Sequence, residues 1–475
     1  MNVRLVVMKK ILSISILSCA AMLSFAAATP VILDTDIGSS TDDVLALELA
    51  CRYHRAGQVD LLGVMIDRPG ACNVRFTEAY LNYHDLNGIP VGTIEGSSEG
   101  QLIFTPYPQL DFPPPTTRAG KVANAVELYR ALLAQAADHS VDICAIGFFT
   151  NLMRLLDSKP DSTSPLSGYD LVARKVRFLR IMAGSFNGAL DHPEYNVWGD
   201  IPSARRIFSS WPTRIVCSPY EVGVKIYYPN TEVVADFPPS HPVNRIYRQW
   251  KIDGDCPKSQ LMWDPMTVLG VLNDEAKLGY FAASPRGTVT VDEKGFTTFL
   301  ADEKGRTTIQ EISMEKCFAI RHYLRKLISG QDRSLVSESS TLRLAAVCAA
   351  PAAGGVEFVV LTNLSKTATL DLSGMRVVCS EPEKGPTMDV TFPSGRLLPP
   401  CGTLRLTQPV DWPTTNINDT AVNFLIYSKA GDVLQETYFD SRWWKGATLG
   451  TGAWLEPVEQ GALVLEQAQW RICGK

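Results

Sequence analysis

The chain is 475 residues long with 45% hydrophobic and 20% charged side chains, a composition typical of a globular protein with a sizeable core. It excludes wholesale disorder and a polytopic membrane protein, and at roughly 150 residues per domain it predicts two or three domains. Lys and Arg number 45 against 50 Asp and Glu, so the net charge of -5 argues against a nucleic acid polymer as partner.

The first 28 residues have the three parts of a secretory signal peptide. Basic residues at positions 4, 9 and 10 precede an apolar stretch at 11–25, and three alanines follow at 26–28. We therefore predict cleavage after Ala28 and export to the periplasm or the extracellular space. The alternative is a lipoprotein cleavage box at Cys19, which Leu17 fits poorly. No later run approaches the roughly 20 apolar residues of a membrane helix, so the mature chain is predicted to have no integral membrane segment.

Ten cysteines follow the predicted signal peptide, and none of them forms a CxxC pair. Export would permit disulfides between them, and the sequence leaves the pairing open. Cys51 and Cys144 lie in apolar segments and fit buried thiols equally well.

Residues 29–330 alternate between apolar runs and amphipathic stretches. Strands are predicted at 30–34, 60–66, 141–146, 175–182 and 214–217, and helices at 43–53, 74–83, 123–136, 151–156, 201–208 and 314–327. This alternation predicts an α/β domain with an open, mainly parallel sheet and covering helices. Ligands of such sheets bind beyond the carboxyl ends of the strands.

The pattern changes after residue 330. Residues 331–341 are polar and predict a linker, and short alternating runs separated by turn residues follow at 342–347, 356–361, 388–392, 403–406, 421–427 and 432–439. Several short strands at this spacing predict an immunoglobulin-like β-sandwich within 342–475, with a C-terminal extension.

Four aspartates lie within ten residues directly after the first predicted strand: Asp34, Asp36, Asp42 and Asp43. Like charges this close repel and raise one another's pKa, whereas a hard divalent cation bound through oxygen removes that cost. Gly38 allows a tight bend that brings Asp36 and Asp43 around one ion. The alternative is that Asp42 and Asp43 only favour a helix N-terminus through its dipole.

A second interpretation is a magnesium-dependent phosphatase of the haloacid dehalogenase type, with Asp34 as nucleophile. That interpretation needs a downstream lysine and a further acidic pair at strand ends, and the sequence offers no convincing set.

Four segments follow one another in the order of a known family pattern: DTDIGSSTDD at 34–43, AIGFFTNL at 145–152, IMAG at 181–184 with EYN at 194–196 and Asp200, and MWDP at 262–265. Together they resemble the nucleoside hydrolase family, of the inosine-uridine preferring type, over about residues 30–330. Ordered matches are far more specific than a single motif.

The resemblance implies a hydrolase that cleaves the N-glycosidic bond of ribonucleosides or a related N-glycoside, releasing base and ribose. It implies calcium as the cofactor, bound by Asp36, Asp43, the backbone carbonyl of Thr150 and Asp264, because oxygen ligands suit that ion. It also implies that Asp36 is the general base, which takes the proton of the water that attacks the anomeric carbon.

Substrate contacts follow from the same resemblance. Ribose hydroxyls would be bound by Asp42, Glu194, Asn196 and Asp264, and Trp263 would lie next to the nucleobase of the substrate. Without the order of the motifs, Glu194 and Asn196 fit a solvated loop.

Three departures limit what the resemblance carries over. The loop from Asp36 to Asp42 is longer than the commonest family version, which would shift the role of Asp42 to Thr41 or Asp43. After the second strand the family often has an Asn-bearing loop, where this chain has DRPG at 67–70 and Asn73 is only a displaced candidate.

The third departure is Trp263, at a position where many members have a His that protonates the leaving base. Trp cannot serve as that acid, so the leaving base must be activated by stacking, by another residue or by its own chemistry. His192 is the nearby alternative, with a plain surface His as the simpler interpretation.

Segments at 355–363, 370–374, 392–395, 397–400 and 431–433 resemble the lamin-tail domain, an immunoglobulin-like sandwich found on many exported bacterial enzymes. Such a module implies attachment or interaction, for example with a cell surface or a carbohydrate. The sequence leaves the oligomeric state open, a homo-oligomer included. The alternative function is a noncatalytic nucleoside- or carbohydrate-binding protein on the same fold, against which the retention of Asp36, Asp43 and Asp264 argues.

Overall fold

The computed structural model describes residues 28–38, 40–94, 123–188, 190–229, 233–234, 236–252, 259–276, 279–312, 316–330, 341–348, 355–381, 385–412, 421–429, 433–440, 454–457, 464–465 and 470–473. The predicted signal peptide and linker lie outside these residues except for Ala28 and Thr341. None of the helices in the described part of the chain has the length and apolar character needed to cross a membrane.

The N-terminal domain is built on one large sheet with helices packed against it. Its strands are β1 (Thr29–Thr35), β2 (Val59–Ile66), β3 (Val91–Thr93), β4 (Ala123–Asn124), β5 (Val141–Ala145), β6 (Val176–Met182), β7 (Arg214–Ser218), β10 (Ala282–Ala283), β11 (Gly287–Val291), β12 (Thr297–Ala301) and β13 (Thr307–Glu311), with β8 (Tyr227–Pro229) and β9 (Ser259–Leu261) forming a separate pair.

The helices of this domain are α1 (Thr41–Arg55), α2 (Ala71–Tyr83), α3 (Ala125–Gln135), α4 (Thr150–Asp157), α5 (Gly168–Lys175), α6 (Tyr195–Gly199), α7 (Ile201–Ser210), α8 (Tyr220–Gly223), α9 (Pro242–Ile252), α10 (Trp263–Ala276) and α11 (Cys317–Ser329).

The order of the strands in the sheet is β12-β11-β13-β7-β6-β5-β1-β2-β3-β4. All neighbours from β4 to β13 are parallel, and β11 and β12 add an antiparallel edge. The chain leaves β1 toward β2 on one side and later returns to pair β5 on the other. The order of strands therefore reverses between β1 and β5, and crevices at such a point are where ligands bind in open α/β sheets.

Both faces of the sheet are buried, which explains why its central strands are continuous apolar runs. In β1, Val31 and Leu33 pack into one apolar cluster with α1 and α10, whereas Ile32 packs into a second cluster with α3 and α4. The predicted α/β architecture with a mainly parallel sheet is confirmed. Cys51 and Cys144 are buried free thiols within these layers.

The C-terminal strands form two further sheets. Their strands are β14 (Leu342–Cys348), β15 (Phe358–Asn363), β16 (Leu370–Asp371), β17 (Arg376–Glu381), β18 (Gly385–Thr391), β19 (Leu397–Leu398), β20 (Thr403–Thr407), β21 (Ala421–Tyr427), β22 (Val433–Asp440), β23 (Trp454–Pro457), β24 (Val464–Leu465) and β25 (Trp470–Cys473). One sheet has the order β20-β15-β14-β23-β25, and the other has the order β18-β17-β21-β22-β24. In addition, β16 pairs with β19.

One apolar core joins these two sheets. Leu344 and Leu361 from the first sheet share a cluster with Val377 and Phe424 from the second, and Trp412 is buried among them. Side chains of two facing sheets that meet in one core are typical of a β-sandwich, as predicted. The lamin-tail resemblance of this module stays a prediction.

Candidate active site

The acidic loop lies at the carboxyl end of β1, next to the point where the strand order reverses. Asp36 directly follows the strand, and Gly38 turns the chain with a φ of 111°, a conformation that glycine adopts without strain. Helix α1 then begins at Thr41, which places Asp42 and Asp43 in its first turn. The partial positive charge of a helix N-terminus stabilises carboxylates there.

Seven of the eight predicted site residues line one cavity of about 550 Å³. They are Asp36, Asp42, Asp43, Glu194, Asn196, Trp263 and Asp264. The eighth, Thr150, begins α4 outside the lining of this cavity, and its hydroxyl donates to Asp200. The segments that supply the seven residues are far apart in the sequence. Asp36, Asp42, Asp43, Glu194 and Asn196 follow parallel strands that end at the same edge of the sheet, whereas Trp263 and Asp264 begin α10, after the separate β8–β9 pair.

Five of the lining residues are buried carboxylates: Asp36, Asp42, Asp43, Glu194 and Asp264. Burial, and next the charge of the neighbouring carboxylates, raises the pKa of Asp43 and Asp264 well above the usual range. Burial also raises the pKa of Asp42 to about 6, although hydrogen bonds oppose this. Acids held so close together are stabilised by a cation among them, and the donors are all oxygens.

Asp42 and Asp43 differ in how many of their oxygens the protein uses. Asp42 accepts from the Ser40 hydroxyl, from Gln260 Nε2 at 3.1 Å and from the Asp264 amide at 3.4 Å. Asp43 Oδ1 accepts from the Thr35 hydroxyl at 2.6 Å, whereas its Oδ2 is buried without a hydrogen bond. Of these two residues, Asp43 is therefore the one with an oxygen left for an ion.

Glu194 and Asn196 are anchored to the ends of the neighbouring strands. The Glu194 carboxylate caps α6 by accepting from the Asn196 amide at 2.9 Å, and it also accepts from the Gly184 amide at 2.9 Å. The side-chain amide of Asn196 donates to the carbonyls of Met182 at 3.1 Å and Ile146 at 3.3 Å. This loop is thus part of the rigid edge of the sheet.

Trp263 forms an aromatic wall of the cavity. Its indole N–H donates to the Tyr220 carbonyl at 3.1 Å, and its ring stacks on that of Tyr220 at 5.5 Å between centroids. A Cβ at Gly223 would lie only 2.3 Å from the Trp263 ring, so a glycine is needed there. His192 also lines the cavity, with its side chain exposed and Nδ1 2.9 Å from the Pro193 carbonyl.

The family described as inosine-uridine preferring nucleoside hydrolase matches residues 31–321, more than half of the chain. The chain belongs to the nucleoside hydrolase family. It is an N-glycosyl hydrolase, and the enzymes of this family depend on a metal ion.

Solved structures of nucleoside hydrolases resemble the chain. A plant nucleoside hydrolase is 19% identical with a TM-score of 0.49, covering 64% of this chain and 99% of that one. A purine-preferring ribonucleoside hydrolase from Gardnerella vaginalis is 15% identical with a TM-score of 0.49, covering 64% and 98%. The inosine-uridine preferring nucleoside hydrolase from Bacillus anthracis is 16% identical with a TM-score of 0.45, covering 63% and 99%. No curated protein matches the chain.

Asp34 is placed differently from the five carboxylates of the cavity. It is fully buried, does not line the cavity, and accepts from the Tyr129 hydroxyl at 2.7 Å and from Asn151 Nδ2 at 3.0 Å. Burial raises its pKa to about 7. A phosphatase nucleophile must reach its substrate, so this geometry argues against the phosphatase interpretation and makes Asp34 a support of the sheet edge.

Sequence reasoning missed two side chains of the loop after β2. Arg68 lines the cavity, with Nη1 3.9 Å from Asp36 Oδ2 and 3.5 Å from the Tyr195 hydroxyl, and Asp67 is buried beside it. Asn73, the displaced candidate, is fully buried and donates to the Arg68 carbonyl at 3.2 Å, so it holds this loop. The available signal was the position of residues 67 and 68, directly after the strand that pairs with β1.

A separate buried cluster contains Glu48, His84 and His241, whose set of ligand atoms suits a transition metal better than calcium. Glu48 already accepts from the Tyr80 hydroxyl at 2.6 Å and from Arg52 Nε at 2.5 Å, and its Oε2 lies 2.7 Å from His84 Nε2. Its hydrogen-bonding capacity is therefore met within the protein, and the cluster joins α1 to α2 and to the residue preceding α9.

Proposed function

We propose that this nucleoside hydrolase is an exported, calcium-dependent enzyme that cleaves the N-glycosidic bond of ribonucleosides and releases base and ribose. The observation that carries the proposal is the convergence of Asp36, Asp42, Asp43 and Asp264 on one cavity of about 550 Å³. That volume lies within the range of small-molecule sites and can hold a nucleoside.

Calcium fits the donor set of this cavity. The donors are carboxylate oxygens, and the unpartnered Oδ2 of Asp43 is a buried acceptor that a cation would satisfy. We assign Asp36, Asp43, the Thr150 carbonyl and Asp264 as its ligands. When bound, the ion supplies positive charge that polarises water and ribose hydroxyls.

The side chains that line the cavity have separate roles in the proposed reaction. We assign Asp36 as the general base that removes a proton from the attacking water, because it lies first at the end of β1 and faces the cavity. Asp42, Glu194, Asn196 and Asp264 orient the ribose, and their rigid anchoring at strand ends provides the positional accuracy that such catalysis needs.

The leaving base faces the aromatic wall. The Trp263 N–H is already donated to the Tyr220 carbonyl, so the indole is not the acid that protonates the base. We assign Trp263 to stacking on the planar base. His192, exposed and lining the cavity, is the ionisable group that we assign as proton donor.

The activity test is a panel of purine and pyrimidine nucleosides, with free sugar and free base measured. We expect release that is abolished by a chelator, restored by calcium and lost in Asp36→Asn. Asp60→Asn is the matched control, because Asp60 is an exposed acid of β2. Tight binding without release would instead favour the noncatalytic binding protein, and phosphate release from a phosphomonoester would favour the phosphatase.

Export is part of the proposal and rests on the pattern of residues 1–28. The C-terminal sandwich is proposed to attach the enzyme to a cell-surface or carbohydrate partner. N-terminal sequencing of the protein recovered from the periplasm and the medium tests the export step, with Thr29 as the expected first residue. An intact N-terminus in the cytoplasm would contradict it, and a chain that begins at Cys19 would identify a lipoprotein.

A further inference from the structure

The loop after β2 brings a fifth carboxylate to the acidic loop. Thr35 pairs with Ile66 in the parallel register of β1 and β2, so Asp36 and Asp67 follow as neighbours on adjacent strands. The Asp67 amide donates to the Thr35 carbonyl at 3.1 Å, which continues this pairing beyond the strand. The Thr35 hydroxyl in turn donates to Asp43. Asp67 is thus held beside Asp36, and the charge of Asp43 also acts on it.

The close approach of the turn after β5 shows where the carboxylate lies. A Cβ at Gly147 would be 2.5 Å from Asp67 Oδ2 and 2.5 Å from the Asp36 amide nitrogen. The two atoms are therefore separated by no more than twice that distance. Arg68 faces the cavity, whereas Asp67 does not line it, so Asp67 approaches Asp36 from within the protein.

Asp67 has no partner of the usual kind in this position. It is 2% exposed, and neither of its oxygens accepts a hydrogen bond of normal geometry, although the Phe148 amide lies near enough to act on it. Burial raises the pKa of Asp67 well above its usual range, and the charges of Asp34, Asp36 and Asp43 add to this. A buried polar group without a hydrogen-bond partner is destabilising, so we expect the Asp67 carboxylate to bind a further group.

A second buried carboxylate oxygen in the acidic loop also lacks a hydrogen-bond donor. Asp43 Oδ2 is also buried without a hydrogen bond, on a carboxylate whose other oxygen is held by Thr35. One divalent cation between the two acids would satisfy both, and calcium accepts six to eight oxygen ligands.

We propose that Asp67 is a further ligand of the cation in this site, added to Asp36, Asp43 and Asp264 and reaching the ion from the protein side. This inference rests on the proposed calcium dependence. It leaves the cavity side of the ion to the substrate. The added negative charge strengthens binding of the ion.

The test is Asp67→Asn in the full mature chain, because the amide keeps the shape of the carboxyl and removes its charge. Isothermal titration calorimetry with calcium chloride should show a Kd at least about tenfold higher than in the wild type. The melting temperature in chelator should not fall, because an unpartnered buried acid has been removed, while the increase caused by calcium should shrink. Asp60→Asn removes an exposed acid of the same strand and should leave both measurements unchanged.

Wild-type calcium affinity in Asp67→Asn would overturn the inference and make Asp67 a buried, protonated structural acid. If Asp67→Asn is not recovered folded, Asp67→Ser, which is smaller and also uncharged, must show the loss of affinity instead. The calorimetric measurement does not depend on hydrolysis. If Asp67→Asn binds calcium more weakly than the wild type, but the wild type cleaves no nucleoside, only the proposed function is refuted. A wild type that binds no calcium would refute both the proposed function and the inference.

Discussion

Gly147→Ala tests whether catalysis depends on the close packing of the acidic loop against the turn after β5. The added methyl group would meet the Asp36 amide and Asp67 Oδ2 at 2.5 Å and Asp36 Cβ at 2.9 Å, whereas ordinary contacts begin at 3.4 Å. Either the turn after β5 or the loops that hold Asp36 and Asp67 must therefore shift by about 0.9 Å. Overpacking of this kind lowers the free energy of unfolding by about 1–3 kcal/mol. A displacement of about 1 Å at a catalytic group lowers the rate by about 100-fold.

We expect kcat/KM for nucleoside cleavage to fall by about 100-fold in Gly147→Ala, while circular dichroism shows a folded protein with a lower melting temperature. Gly88→Ala is the matched control, because a Cβ at Gly88 meets nothing within 4 Å. It should keep wild-type activity. Activity of Gly147→Ala within about twofold of the wild type would refute the assignment of Asp36 to this position of the site.

Three further measurements test the surroundings of the site. Glu48→Gln removes one member of a buried ion-paired cluster and should lower the free energy of unfolding at pH 7 by about 3–5 kcal/mol. Burial raises the pKa of Glu48, but hydrogen bonds and charge from His241 and His84 outweigh burial and lower the folded pKa below 4.5. The stability difference between wild type and variant should therefore shrink in urea titrations as the pH falls below 4.5. Asp34→Asn should show the opposite pH dependence of stability, because burial raises the folded pKa of Asp34 from 3.8 to about 7. In chelator, the wild type should therefore lose stability relative to the variant as the pH rises from 3.8 to 7. A stability difference that stays constant over this range would contradict the prediction. Trp263→Leu should raise KM for nucleosides by about tenfold, since stacking on a base contributes about 1–3 kcal/mol, and an unchanged KM would remove Trp263 from the base site.

The sequence predicted the part of the site whose geometry is set by short-range rules. The apolar run of β1, the glycine at position 38 and the acids of the first turn of α1 are adjacent in the chain, so strand, turn and helix signals locate them within a residue or two. The later segments were found through their resemblance to a family pattern, in the order of that pattern. In the fold, the segments at 145–152 and 181–196 follow parallel strands that end at the same edge, whereas Trp263 and Asp264 begin α10, which follows the separate β8–β9 pair.

Other features depend on contacts that no local pattern encodes. Glu48 meets His84 and His241, which are 36 and 193 residues away, and only the packing of three helical segments brings them together. The antiparallel edge strands at 287–291 and 297–301 were not predicted. Each is only five residues long and rich in Thr, and the burial of Val289 and Val291 depends on packing against distant parts of the chain.

The loop after β2 shows what lies between these two cases. Strand alternation continues past Ile66, so consecutive side chains leave the sheet in opposite directions: Asp67 turns into the protein and Arg68 into the cavity. The sequence shows the charged pair but not which member faces Asp36 from which side. Their charges are opposite, and the Arg68 guanidinium lies 3.9 Å from Asp36 Oδ2. Asp36 therefore has an acid beside it on the protein side and a base beside it on the cavity side, an arrangement that depends on the direction of each side chain and not on the presence of the two residue types in the sequence.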